Sequence, residues 1–520
     1  MNVAIKKKYF RIMESEIKNC VNCKKDFTIE PEDFNFYEKI KVPPPTWCPE
    51  CRLIRRLIWR NDRYLSKVNC TLCGEATFSS FTPDSGYIIY CAKCFRSDDW
   101  DPVIYAQDYD FSKPFFEQFR ELIKKVPVSA RFISSTPLIN SDYTNLVSNL
   151  KNCYLIYNSD YSENCMYGTE IENSKDCVDN TMIDGCEQAY GNVNCQNCNK
   201  IFYSTDCSES SDIWFSYDLL GCLNCFGCVG LRNKNYHIFN QSYSREEYGE
   251  KIKKLFAGEF WRIAGIESKV KEIYLGFPRR YMHGRQNANV SGDYIYNSKD
   301  VKNSFIVTEA RNCRYLMWNV VPPVKDSWDY TEWGDKAEEI YESISVGSQV
   351  SRVKFSVQTL ENCMNVEYSY RCRGVQNIFG CSAVRKKSYC ILNKQYSKEE
   401  YETLVPKIKK HMDEMPYTDS NGKIYKYGEF FPPDLSPFSY NQSSAQEFFP
   451  LEEAQIKNSG FEYKEVAEKN YTPTKKRGSL PDSIEDVPDE FVNEIIECYN
   501  SGSNEAKKQN CTKAFRVTVN

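Results

Sequence analysis

Four Cys-x-x-Cys pairs fall in the first part of the chain, at Cys20/Cys23, Cys48/Cys51, Cys70/Cys73 and Cys91/Cys94. Two residues between thiolates let one tight turn place both sulfurs on a tetrahedral ion, and two such turns close a site. Chain order predicts the groups Cys20/Cys23/Cys48/Cys51 and Cys70/Cys73/Cys91/Cys94, with interleaved pairing left open. The second group, C-x2-C-x17-C-x2-C, has ordinary zinc spacing, and the first carries 24 residues between its pairs. Four protein thiolates leave no coordination position for water, so the expectation is two structural Zn2+ ions and no catalytic metal. A redox role is the competing reading, and four successive pairs, one of them Cys-Pro-Glu-Cys, count against it.

Directly after Cys51 comes RLIRRLIWRNDRYLSK. Arg52, Arg56, Arg60, Arg63 and Lys67 recur at three- and four-residue steps, and Leu53, Leu57 and Tyr64 form a second stripe, the pattern of a basic amphipathic helix. A knuckle, a hairpin and a second knuckle leading into a helix describe a treble clef. In the second group YIIY before Cys91 predicts a strand and a plain zinc ribbon. Guanidinium groups on a rigid helix suit phosphate, so these five residues are the candidate nucleic-acid contacts, helped by Lys6, Lys7, Lys8 and Arg11. The alternative is that they pair with carboxylates of the same chain, such as Asp62 and those of the C-terminal region.

The count of 25 cysteines in 520 residues is odd, and eight of them sit in knuckles, which favours zinc and buried thiols over a secreted disulfide framework. The opening MNVAIKKKYFRIMESEI lacks the apolar run of an export signal, and no stretch approaches the ~18 apolar residues of a membrane span. A cytoplasmic protein without a membrane partner is expected. The net charge of −4 gives no global attraction to polyanions, so any such binding needs a local patch.

From residue 99 the chain carries a linker with an apolar stripe, Phe115, Phe116, Phe119, Leu122, Ile123 and Val126, predicting a docking helix with Ser112 as cap and Pro114 in its first turn. Beyond it, Asn-Cys, Asp-Cys and Gly-Cys recur. Cys165, Cys186, Cys207 and Cys228 lie 21 residues apart, as do Cys177 and Cys198, and Cys153, Ser174 and Cys195 keep the same step, which predicts a parallel β-helix with a coil of about that length. Cys195, Cys198, Cys222, Cys225 and Cys228 could be a further thiolate array, although inward stacking accounts for them. A larger duplication joins FGCVGLRNKNYHIFNQSYSREEY, from Phe226, to FGCSAVRKKSYCILNKQYSKEEY, from Phe379, at an offset of 153. Each copy ends in a helix capped by Ser244 or Ser397.

The domain reading is therefore multidomain α+β: 1–98 a treble-clef and zinc-ribbon module, 99–135 the linker, 136–260 and 261–412 two duplicated β-solenoid units capped by helices, 413–497 an extended arm, and 498–520 the start of a third zinc module. WDYTEWGDKAEEIYESIS is expected as an insertion, helical from about Asp335, and a short helix is expected near 488–498. Phe430, Phe431, Phe448 and Phe449 are expected to anchor the arm. In CTKAFRVTVN, Cys511 and Phe515 correspond to Cys23 and Phe27, with Lys508 in the place of the partner cysteine.

CPECRLIRRLIWRNDR, DYDFSKPFFEQF, NCFGCVGLRNKNY, YSKEEY and GEFFPPDLSPFSYN resemble a group of uncharacterised zinc-ribbon proteins found in small genomes of uncultured bacteria. The resemblance implies a shared architecture over nearly the whole chain, and no activity. In that group a complete zinc module often ends the chain. The expected function is a non-enzymatic zinc scaffold whose basic helix engages nucleic acid or a nucleoprotein and whose solenoids bind another protein. A purely structural interaction protein is the alternative. The remaining reading is a β-helix carbohydrate-active enzyme, with Asp329 and Glu332 beside Trp328 and Trp333 as its acids. His237, His283 and His411 fit no ligand or nucleophile motif.

Overall fold

The computed structural model describes residues 14–133, 138–256, 261–465, 472–481, 483–503 and 513–517. Two parallel sheets, each wound as a β-solenoid, follow N-terminal four-cysteine knuckle modules, and helices complete the chain. Two compact units form. One joins residues 1–131 with 280–463, so the knuckle modules fold with the second solenoid. The other joins residues 132–279, the first solenoid, with 464–520.

A three-residue beat builds the first solenoid. Cys153, Ile156, Ser159, Ser162 and Cys165 point inward and are buried. The residue two places after each, from Leu155 and Asn158 to Tyr161, Asn164 and Tyr167, sits at φ near +50° to +55°. A left-handed residue bends the chain, and asparagine, aspartate and glycine tolerate it best. The Asn-Cys, Asp-Cys and Gly-Cys pairs are thus a corner followed by a small inward side chain, as at Asn164-Cys165, Asp176-Cys177 and Gly185-Cys186.

Four such sides make a coil of 12 residues. Lys175, Glu187, Asn199, Ser211, Leu223 and Asn235 pair in succession along one wall. The expected 21-residue coil is therefore corrected: 21 is one coil of 12 plus three sides of three. Cys165, Cys186, Cys207 and Cys228 stand on four different sides, each buried. Real columns step by 12, as in Cys153, Cys165 and Cys177, followed by Ala189, Ile201, Ile213 and Cys225. Three residues per side leave a narrow interior that small side chains fill. The thiols bond the backbone of the next coil, Cys153 Sγ to the Ser162 carbonyl and Cys165 Sγ to that of Ser174, each at 3.5 Å. Asparagines ladder at the corners, with Asn140, Asn152, Asn164 and Asp176 linked by amide donors at 3.1, 3.0 and 2.8 Å.

The second solenoid has wider coils in its middle, where Ala310 pairs with Val324 and Lys325 with Glu338, before Met364 to Gln376 restores the 12-residue step. The wider coils admit Tyr330 into the interior. WDYTEWGDKAEEIYESIS is part of these coils: Val324–Gly334 and Ala337–Gly347 are parallel strands joined by left-handed Asp335 and Lys336. The expected helix fails because inward and corner positions recur there every three residues. A 3-10 turn at Asp489–Phe491 and a strand at Ile495–Glu497 likewise replace the helix expected near 488–498.

The duplication is structural. Leu223–Phe226 matches Gln376–Phe379, each solenoid closes on a short antiparallel strand, and a helix follows, Arg245–Phe256 or Lys398–Glu414. Ser397 Oγ accepts from the Glu400 amide at 3.2 Å and Ser244 Oγ from that of Glu247 at 3.2 Å, while each glutamate accepts from its serine amide at 2.9 Å. The docking helix spans Phe115–Lys125 with Pro114 as its cap. Phe430 and Phe431 are fully buried, and Phe448 lies edge-on to Trp318 at 4.6 Å.

On one outer side of the first solenoid Asp160, Glu172 and Asp184 stack in register. Burial, then the charges of Asp160, Asp184 and Glu170, pushes the Glu172 carboxyl up to about 9 from 4.5. Between those values the folded chain holds a proton that the unfolded chain has lost, so stability falls as pH rises through that window. Glu172→Gln should raise the melting temperature of the first solenoid at pH 8.5 and leave it unchanged at pH 4.5, followed by circular dichroism. A shift of equal size at both values would contradict the assignment.

Candidate metal centres

Each knuckle is built by a hairpin. Glu16–Asn19 pairs antiparallel with Asp26–Ile29, and Ser66–Asn69 with Ala76–Ser79. Past each first strand the cysteine amide donates across the turn, Cys20 to the Lys25 carbonyl at 2.9 Å and Cys70 to that of Glu75 at 2.8 Å. The turn closes through a left-handed residue, Lys24 at φ 62° and Gly74 at φ 78°. The second pair of each group sits on a helix N-terminus: Cys48 caps Pro49–Leu57, and Cys91 caps Ala92–Arg96. In both modules the second cysteine pair thus opens a helix. The strand predicted from YIIY is Ile89–Tyr90, and it pairs with Val128–Ser129 before the cysteine helix starts.

The eight cysteines assemble as chain order predicts, Cys20/Cys23/Cys48/Cys51 and Cys70/Cys73/Cys91/Cys94, with the ligand atoms of each group within 4.8 Å of one another. Each group could hold one metal ion. Cys23 Sγ lies 3.7 Å from Cys48 Sγ. That is the edge of a tetrahedron with metal–sulfur bonds of about 2.3 Å, and far beyond a disulfide of about 2.05 Å. Amide donors already solvate the sulfurs: Cys48 N reaches Cys20 Sγ at 3.2 Å, Cys91 N reaches Cys70 Sγ at 3.1 Å, and Asn22 Nδ2 reaches Cys51 Sγ at 3.3 Å. Contact with the Cys48 and Cys51 thiols holds Cys20 far below the ordinary thiol range, while Cys20 pushes Cys48 up to about 11 and Cys51 higher still. Four like charges this close need a cation to ionise together, and a soft thiolate-binding ion would supply it.

Cys195, Cys198, Cys222, Cys225 and Cys228 are inward residues of the solenoid, bonded to carbonyls such as Val193, Gln196 and Phe226. Among the described residues they form no four-ligand group. The three histidines are also locally engaged: His237 with the Asn235 carbonyl at 2.8 Å, His283 with Asp293 at 3.1 Å, and His411 with the Tyr109 hydroxyl at 2.8 Å.

The arginines that follow Cys51 face inward. The helix ends at Leu57, so Arg60 and Arg63 lie beyond it and Lys67 is on a strand. Arg52 Nη2 is 2.8 Å from Asp329, and Arg56 contacts the other oxygen of that carboxylate at 3.3 Å while donating to Thr331 at 3.1 Å. Arg55 bridges Glu429 at 2.8 Å and Glu342 at 3.3 Å. Arg60 is paired with Asp62 at 2.6 Å and with Glu332. Aromatic walls complete the cluster: Arg52 stands over Tyr315, Arg55 over Trp47, and Phe36 stacks on Trp328 at 3.9 Å.

Arg52, Arg56 and Arg60 are thus buried and paired with carboxylates of the same chain, the arrangement that the alternative reading of the sequence describes. Arg63, paired with Glu447 at 3.1 Å, and Lys67 stay at the surface. Lys6, Lys7, Lys8 and Arg11 lie outside the described residues. Asp329 and Glu332, the acids of the carbohydrate reading, are both engaged by arginines, and Trp328 is covered by Phe36. Sequence reasoning passed over Arg55, Glu342 and Glu429, whose partners are almost three hundred residues or more away in the chain.

It also passed over Cys498. Ile495–Glu497 pairs with Ala514–Arg516, and the Cys498 amide donates to the Lys513 carbonyl at 3.0 Å, as Cys20 does to Lys25. The partner-cysteine place assigned to Lys508 therefore belongs to Cys498. The signal was EIIEC against EIKNC at Glu16, with an insertion before the second strand. Lys508 and Cys511 lie outside the described residues.

No family model and no curated protein matches the chain. Among solved structures it is similar to a crystal structure described as a "putative acetyltransferase" from Desulfovibrio desulfuricans G20, at 11% identity and a TM-score of 0.11, over 44% of this chain and 52% of that one. This chain spans about half the length of that protein, and such a score carries no argument on fold or activity.

Removing one member of a buried ion-pair cluster strands its partners without solvation. Arg56→Glu should lower the unfolding free energy of the unit containing the knuckles by at least about 3 kcal/mol, read as a lower urea midpoint. Arg63→Glu, at a side chain 46% exposed, should shift it by less than about 1 kcal/mol. Equal shifts would contradict the cluster's role.

Proposed function

We propose that this protein is a zinc-stabilised, non-catalytic binding scaffold, in which the knuckle modules brace the second solenoid and the solenoid walls receive a protein partner. The observation that carries the reading is the arginine cluster, which commits Arg52, Arg55, Arg56 and Arg60 to carboxylates of the same chain. Two Zn2+ ions would be held by Cys20/Cys23/Cys48/Cys51 and Cys70/Cys73/Cys91/Cys94. Bound there, zinc cross-links hairpin to helix and offers no position to substrate. The helix N-termini at Cys48 and Cys91 orient donors toward the sulfurs and favour their charge.

A protein partner is preferred to nucleic acid because the three central arginines of the expected phosphate face are occupied. A reducing compartment such as the cytoplasm suits the many free thiols. Among the described residues no helix is long and apolar enough to cross a membrane.

Elemental analysis of the purified chain should find two equivalents of zinc. Binding to labelled single- and double-stranded RNA and DNA should be absent or indifferent to Arg63→Glu and Lys67→Glu. Saturable, salt-sensitive binding lost in those variants would restore the nucleic-acid role, and less than one zinc per chain would overturn the zinc assignment.

A further inference from the structure

The duplication places two copies of one receptor surface in this chain: the second is filled by the arginine helix, and among the described residues the first carries no such helix. Strand pairing sets the equivalence. Counting back from Phe226 and Phe379 along each ladder aligns Glu187 with Glu338 and Lys175 with Lys325. Tyr167 then corresponds to Tyr315, Asp179 to Asp329, Thr181 to Thr331 and Tyr190 to Tyr341.

In the second solenoid these residues receive the helix. Arg52 stands over Tyr315 and pairs with Asp329, and Arg56 pairs with Asp329 and Thr331. The first solenoid repeats all four residue types at the same rungs. The corner geometry is the same: Asp179 and Asp329 have φ of 56° and 52°, and Tyr167 and Tyr315 have 55° and 57°. Burial differs. Asp329 and Tyr341 are wholly enclosed, whereas Tyr167 and Tyr190 are 46% and 37% exposed and Asp179 is at the surface. Helices Arg245–Phe256 and Trp261–Gly276 cover this solenoid further along, over Trp214, Tyr217 and Phe226.

We infer that the face formed by Tyr167, Asp179, Thr181 and Tyr190 docks an arginine-bearing helix of a partner protein, two guanidinium groups one turn apart taking the places of Arg52 and Arg56. Aspartate at a left-handed corner between tyrosines is what the filled copy uses for that fork. Glu342 has no counterpart, since glycine stands at position 191, so the open copy asks for two arginines where the filled one takes three. The inference rests on the scaffold reading and specifies its partner.

The test uses the full chain and a fluorescein-labelled peptide with the sequence of residues 49–63, Cys51→Ser. Fluorescence anisotropy should show saturable binding. Asp179→Asn, Tyr190→Ala, and a peptide carrying Arg52→Gln and Arg56→Gln should each weaken it by about tenfold or more. The melting temperature of Asp179→Asn should stay at the wild-type value, because that residue is at the surface. No saturable binding, or binding indifferent to Asp179→Asn, would overturn the inference, the latter by showing that the peptide acts at the Asp329 copy or without a site. Self-association of the unliganded protein that Asp179→Asn abolishes would overturn it too, by making a second copy of this chain the occupant. None of these outcomes touches the zinc content, so the scaffold reading is judged separately.

Discussion

A left-handed residue at every third position is the constraint on which the solenoids depend. It turns the chain a corner after each short side, and four corners close a coil. It decides composition as well, since asparagine, aspartate and glycine recur where the backbone must bend, and small side chains recur where the walls face one another. Cysteine is abundant in the first solenoid because it fills a narrow interior and its weak donor can use a neighbouring carbonyl. The second solenoid relaxes the coil length, and its interior grows to take Tyr330.

The same duplicated frame is completed differently in the two units. In one, the knuckle modules set their arginine helix on Asp329, Glu342 and Glu429, with Tyr315 and Trp47 as walls. Burying charged groups gives little net stability, because desolvation opposes attraction, yet it is selective: the helix fits only where carboxylates stand at the right corners. A metal held by Cys20, Cys23, Cys48 and Cys51 would therefore act on the same helix as the arginines. The thiolates fix the helix N-terminus at Cys48 and Cys51, and the guanidinium groups one and two turns on inherit that placement.

The two four-cysteine groups were fully legible, because the spacing of cysteines along the chain dictates their geometry. The duplication and the serine-capped helices were legible for a similar reason. The coil length was not, since a 21-residue cysteine series is compatible with any coil built on steps of three, and only strand register distinguishes 12. WDYTEWGDKAEEIYESIS looked helical because its acids and apolar residues also fit a helical period. The role of Asp329 and Glu332 was hidden by distance, since nothing local in the sequence ties them to Arg52 and Arg60. Cys498 was hidden by an insertion, and its place appears only when Glu497 pairs with Ala514.

The most direct measurement is hydrogen exchange of the full chain by mass spectrometry, before and after metal is removed with a thiolate-competing chelator. If zinc-held knuckles brace the second solenoid through the arginine cluster, chelation will deprotect residues 324–347 together with the knuckle hairpins, and the first-solenoid strands between 175 and 226 will keep their protection. Deprotection confined to the hairpins and the segments joining them would contradict the account, by showing that the solenoid stands without its brace.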